Sequence, residues 1–155
     1  MNEATSTRKA PARGRRRLAA ALLVSAVLVA AAPQSAQAAT RPTERRFTSM
    51  VNDTRATTLL GSLQLDERLS RIARRHSRHM AAEGELYHSD LNRLLSANIS
   101  SVGENVGYGS SLDQLLSAFL ASPPHAANLL GDYTKTGVGI VRVDGQLWIT
   151  QLFAA

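Results

Sequence analysis

Apolar positions begin to recur at helical spacing about a third of the way along the chain. Phe47, Met50, Val51, Thr54 and Thr58 share one face and predict a first helix over 44–60, ended by Gly61 in a left-handed conformation. A second stripe, Leu69, Ile72, Ala73, His76 and Met80, predicts a helix capped by Asp66 and closed near Gly84. Leu91, Leu94, Leu95 and Ile99 follow without a regular period, so residues 87–100 read as a short irregular helix or a packed loop. The pattern then changes to a strand around Glu104, flanked by Val102 and Val106, with the glycines of 107–109 turning the chain towards the next helix. Ser110 and Ser111 suit the cap of that third helix, which puts Leu112, Leu115, Leu116, Phe119 and Leu120 inward and stops at Pro123-Pro124. Residues 126–130 add a helical turn. Val138 to Val143 and Leu147 to Phe153 flank Asp144-Gly145, a hairpin signal, and both carry apolar residues on two faces. Helices around a sheet covered on both sides define an α+β layered domain.

The N-terminal segment follows different rules. Arg13, Arg15, Arg16 and Arg17 precede an apolar run from Leu18 to Ala32, and Ala36-Gln37-Ala38 follows, which is the pattern of a secretory signal peptide cleaved after Ala38. The run is 15 residues long, short of the roughly 20 a spanning helix needs, so no stable membrane span is expected after cleavage. Residues 1–38 are therefore assigned to the signal, 39–43 to a short linker and 44–155 to one domain. Charge changes meaning with this division. Six cations against Glu3 within the signal supply five of the six net positive charges of the whole chain. The mature protein is nearly neutral, which argues against nucleic acid as a partner. Arg68, Arg71, Arg74, Arg75 and Arg78 cluster at helical spacing and read as a solvated outer face. The absence of cysteine excludes disulfides, thiol nucleophiles and thiolate metal sites, so an apolar core must hold the exported domain together. The richness in alanine and arginine suggests a bacterial source.

Candidate chemistry gathers around Glu104, an acidic side chain between apolar neighbours and glycines. A carboxylate buried there must be paired, hydrogen-bonded or protonated. His88 and His125, each at an element boundary, are the candidate partners. Two neutral imidazoles and Glu104 as third ligand could hold Zn²⁺ or another divalent metal and leave a position for water. Alternatively, Glu104 accepts hydrogen bonds from the histidines and ties its strand to the flanking loops, with no chemistry. His76, on the stripe of the second helix, reads as a core-edge histidine with a backbone or carboxylate partner, and His79 points to solvent. There is no Gly-x-Ser-x-Gly, no phosphate-loop lysine after Gly109 and no His-Glu-x-x-His.

These pieces resemble the secreted CAP superfamily, also called SCP-like, and its short bacterial branch in particular. The resemblance rests on Asn52 with Arg55, Leu63-Gln64-Leu65-Asp66, Leu69 with Ala73, His76-Ser77, Met80, His88-Ser89 and Gly103-Glu104-Asn105. It continues through Ser122-Pro123 with His125 and Asn128, Gly137-Val138-Gly139, and Thr150-Gln151 with Phe153. It implies a three-layer α-β-α sandwich with a central antiparallel sheet, and a cleft in which His88, Glu104 and His125 take the family's positions. Asn105 and Ser122 join them as cleft or ligand-binding residues. Longer members place a second glutamate where Ser122 stands, and Pro124 and Ala126 replace a common glycine and arginine. With that fourth residue missing and no recognised nucleophile, the expectation is a secreted, non-catalytic domain that requires no cofactor and binds a small apolar or envelope-derived ligand, such as a lipid. A Zn-type hydrolase using Glu104 and a cell-surface interaction module are the competing readings, and oligomeric state is left open.

Overall fold

The structure, a computed structural model, describes residues 35–95 and 99–155. The signal segment expected over 1–38 thus lies almost wholly outside the described residues. The elements run α1 (Ser35–Thr57), β1 (Gln64–Leu65), α2 (Glu67–Glu83), a 3₁₀ turn (Leu91–Leu94), β2 (Val102–Gly109), α3 (Leu112–Ala121), α4 (Pro123–Leu129), β3 (Lys135–Val143) and β4 (Gln146–Ala154). Four strands form one sheet in the order β1-β3-β4-β2. Both long pairings are antiparallel, and the two-residue β1 adds a parallel edge to β3. α1 and α3 cover one face and α2 with the 3₁₀ turn covers the other, which makes the three-layer sandwich.

The core divides accordingly. Phe47, Val51, Leu115, Phe119, Val138, Ile140, Ile149 and Phe153 pack together on the α1 and α3 side. Leu69, Ala73, Leu94, Leu152 and Ala154 pack on the α2 side. Strand alternation explains the division, since Phe153 and Leu152 are neighbours in β4 pointing to opposite layers. Within α2, Asp66 caps the helix by accepting from the Leu69 N–H, and Gly84 closes it at φ 71°. Asp144 and Gly145 both have positive φ in the two-residue hairpin turn, as a type I′ turn requires.

Several local expectations are corrected. The first helix, expected over 44–60, is described over Ser35–Thr57 and passes through Pro42; the alanines of 36–39 have high helix propensity. The left-handed residue after α1 is Leu59, at φ 61° and almost fully exposed, and not Gly61. Gly107 and Gly109 lie inside β2, where a Cβ would press on Phe119 and Leu115; they let α3 sit close and do not turn the chain. Pro123 opens α4 at its first turn, where its missing N–H is harmless. Leu120 is exposed. Arg74 leaves the expected outer face and is buried against Glu44, with 2.9 Å between Nη1 and Oε2.

Glycine also sets the packing of α2 on the sheet. A Cβ at Gly137 or Gly139 would overlap the backbone of Leu69 or of Ala73 and Arg74. The helix backbone therefore rests directly on β3, and Ser77 Oγ can donate to the Gly139 carbonyl at 2.8 Å.

Candidate ligand-binding site

β2 is an edge strand, and its alternation sends Glu104 to one face and Asn105 to the other. Each of these neighbours holds a different histidine-bearing segment. On the α2 side, the Glu104 side chain is fully buried. Its Oε1 accepts from the Ser89 N–H at 2.8 Å and from His88 Nδ1 at 2.9 Å, and its Oε2 accepts from Ser89 Oγ at 2.6 Å. Because the carboxylate accepts, Nδ1 of His88 is the donor, and its Nε2 is left facing outward. The His88 side chain is 60% exposed.

On the opposite face, Asn105 is completely buried. Its Nδ2 donates to the His125 carbonyl at 3.1 Å, and its Oδ1 accepts from Asn128 Nδ2 at 2.9 Å. Asn128 Nδ2 also reaches the Glu104 carbonyl at 3.1 Å. These contacts latch α4 to β2. His125, in the first turn of α4, is half-buried, with its ring tilted on Phe119 at a centroid distance of 5.1 Å. Its Nδ1 lies 2.8 Å from Ser122 Oγ, a hydroxyl with no capping bond of its own. Ser122 thus orients His125 with a neutral group, as Glu104 orients His88 with a charged one.

Burial lowers the pKa of His125 below the ordinary histidine value, and the nearby His88 lowers it further. The folded state binds a proton at His125 less readily than the unfolded chain does. The resulting stability is fully present above about pH 6.5 and falls as pH drops towards the folded value. Urea unfolding at pH 7.5 and 5.5 should accordingly show a smaller loss of stability on acidification in His125→Gln than in the parent. Equal losses would remove His125 from the pH response.

Of the five residues expected in the cleft, His88 and Glu104 meet directly, as do His125 and Ser122. Asn105 supports His125 from beneath and lies away from the surface. Ser89 and Asn128 complete the arrangement but were not singled out as site residues, although each stands next to or near a candidate histidine in the chain. Glu104 Oε1 accepts two hydrogen bonds and Oε2 one, and among the described residues no group of three His, Cys, Asp or Glu side chains, the set of His88, His125 and Glu104 included, is placed to hold an ion. His76 is held away from the site, its Nε2 lying 2.8 Å from the Tyr87 carbonyl. No described helix is long and apolar enough to cross a membrane.

An α-β-α sandwich on a four-stranded sheet defines a class of domain, and comparison with known proteins agrees. The family model described as the cysteine-rich secretory protein family, CAP, matches residues 48–153, and the chain belongs to that family. It is 28% identical over 118 residues to the uncharacterized protein YkwD of Bacillus subtilis (strain 168), covering 70% of this chain and 46% of that protein. The chain therefore spans about half the length of that relative. A solved extracellular protein containing an SCP domain from Bacillus anthracis superposes with a TM-score of 0.63 at 25% identity, over 74% of this chain and 40% of the other. An outer surface protein from Borrelia burgdorferi also superposes at 0.63, with 17% identity over 79% of this chain and 94% of its own, a likeness of fold alone.

Proposed function

We propose that this is an exported bacterial CAP-domain protein that binds a small apolar or envelope-derived ligand between His88 and His125 and performs no reaction on it. The observation that carries this reading is the burial of Glu104 behind its hydrogen-bond partners. A general base or a metal ligand works best from a carboxylate open to its proton or ion, whereas the Glu104 side chain is fully buried and accepts three hydrogen bonds from Ser89 and His88. His88 is largely exposed and His125 half-buried against the ring of Phe119, and their free ring edges could hydrogen-bond a ligand's polar end. The extracellular location of the similar Bacillus anthracis protein supports export, as does the signal pattern of residues 1–38.

A panel of sterols, fatty acids and envelope lipids should include at least one that binds saturably, about tenfold more weakly in His88→Ala/His125→Ala, roughly the loss expected for two hydrogen bonds. Hydrolytic activity that a chelator abolishes, and that folded Glu104→Gln lacks, would replace this reading with a metal-dependent hydrolase.

A further inference from the structure

A second concave site lies between α2 and the 87–94 segment, outside the pair of imidazoles. It is a cleft of about 360 Å³, within the roughly 300–1,000 Å³ typical of small-molecule sites. Arg68, Ile72, Arg75 and His79 form the helix wall, and Tyr87, Asp90, Arg93 and Leu94 form the other. His76 fastens the two walls together through its hydrogen bond to the Tyr87 carbonyl and an edge-on ring contact with Tyr87 at 4.9 Å. The cleft shares Ser89 with the Glu104 cluster but none of its charged groups.

Its charge is unbalanced. Arg93 is paired with Asp90, its Nε at 3.1 Å from Oδ2. Arg68 and Arg75 have no ion-pair or hydrogen-bond partner among the described residues, although their neighbour Arg74 takes two carboxylates. Glu83 hydrogen-bonds the Tyr87 side chain and is not part of the lining. Three guanidiniums against one carboxylate leave two positive charges facing one cavity. Ile72, Leu94 and the Tyr87 ring supply an apolar floor.

We propose that this cleft binds a phosphate monoester carrying a short apolar body. A carboxylate brings one negative charge, whereas a phosphate monoester brings roughly −1.5 to −2 at neutral pH and several acceptor oxygens for two guanidinium forks. The ester group would lie between Arg68 and Arg75, with its organic body on Ile72 and Leu94.

Calorimetric titration of the purified protein with hexyl phosphate tests this. The expected result is saturable binding near one equivalent, at least about tenfold weaker in Arg68→Gln/Arg75→Gln, consistent with the loss of charge-assisted contacts. Both residues are exposed and unpaired, so the double variant should melt at the parental temperature. Arg78→Gln, an exposed cation on the same helix outside the cleft, should leave binding unchanged. Hexanoate should bind more weakly than hexyl phosphate. Affinity unchanged in the double variant, equal loss in Arg78→Gln, or hexanoate binding as tightly would each overturn the proposal, as would no binding of hexyl phosphate. Two further arms identify the source. Sedimentation with phosphatidic acid vesicles that depends on Arg68 and Arg75 supports a lipid headgroup, and binding of glycerol phosphate without vesicle binding supports a soluble ester. His88→Ala/His125→Ala should leave hexyl phosphate binding intact, so failure here and failure of the imidazole cleft are read separately.

Discussion

Gly139→Ala should lower stability by about 3 kcal/mol, the upper part of the range for overpacking a closed interior. In a thermal melt this corresponds to a fall in Tm of roughly 10 °C for a domain of this size. The added methyl would fall closer than 3.0 Å to backbone atoms of Ala73 and Arg74, and helix backbone cannot swing aside as a side-chain tip can. Relief requires lifting α2 off β3, which also stretches the hydrogen bond from Ser77 to the Gly139 carbonyl and the buried pair of Arg74 with Glu44. Gly61→Ala is the matched control: nothing lies within 4 Å of its added Cβ and its φ is ordinary. That variant should be neutral or stabilised by up to about 1 kcal/mol through loss of freedom in the unfolded chain. If both alanine variants melt within about 2 °C of the parent, an amount under 1 kcal/mol, the direct seating of helix on strand is wrong.

Arg55→Leu is expected to have a comparable or larger effect, about 3–5 kcal/mol, because it leaves one buried and three part-buried carbonyls without their donor. The residue is 2% exposed. Its Nε donates to Gly61, its Nη1 to both Leu129 and Gly131, and its Nη2 to Tyr133. Two of these acceptors lie at and just beyond the end of α4, where unpaired carbonyls concentrate partial negative charge. Burial lowers the Arg55 pKa and Asp132 opposes that effect. Arg55→Lys should recover only part of the loss, since one ammonium cannot reach four carbonyls in the plane of a fork. Because α4 carries His125, Arg55→Leu should also weaken ligand binding at the imidazole pair. Denaturant unfolding decides the matter, and a loss below about 1 kcal/mol, the value of one ordinary hydrogen bond, would reduce Arg55 to a surface-like contact.

The elements that could be read from the chain are those with strong local signals. The stripe through Leu69, Ala73 and Met80 and the Asp144-Gly145 turn specify α2 and the hairpin, since both depend on near neighbours. Asn52 and Arg55 could be associated with a family, but their work is with distant partners. Asn52 exchanges two hydrogen bonds with the Leu63 backbone, and Arg55 reaches residues 74 to 78 positions away. Spacing carries no record of such contacts. The same limit explains Arg74, which shares its helical neighbourhood with exposed arginines and is turned inward by Glu44 on another element. At the site, the isolation of Glu104 among apolar residues indicated that it needed partners. That Ser89 would engage both oxygens could not be read, because a serine beside a histidine has many other uses. Ser122 was legible as a departure from the family pattern, and only the fold brings its hydroxyl to His125.

The latch from Asn105 and Asn128 to the His125 backbone and β2 has a kinetic consequence. With the His125 backbone held in advance, a molecule bound as proposed between His88 and His125 would meet a receptor that needs little ordering of its own. The entropy lost on binding is then chiefly that of the guest. Association should proceed in a single concentration-dependent phase without a slow closing step, and congeners too wide to fit between the two histidines should be refused outright.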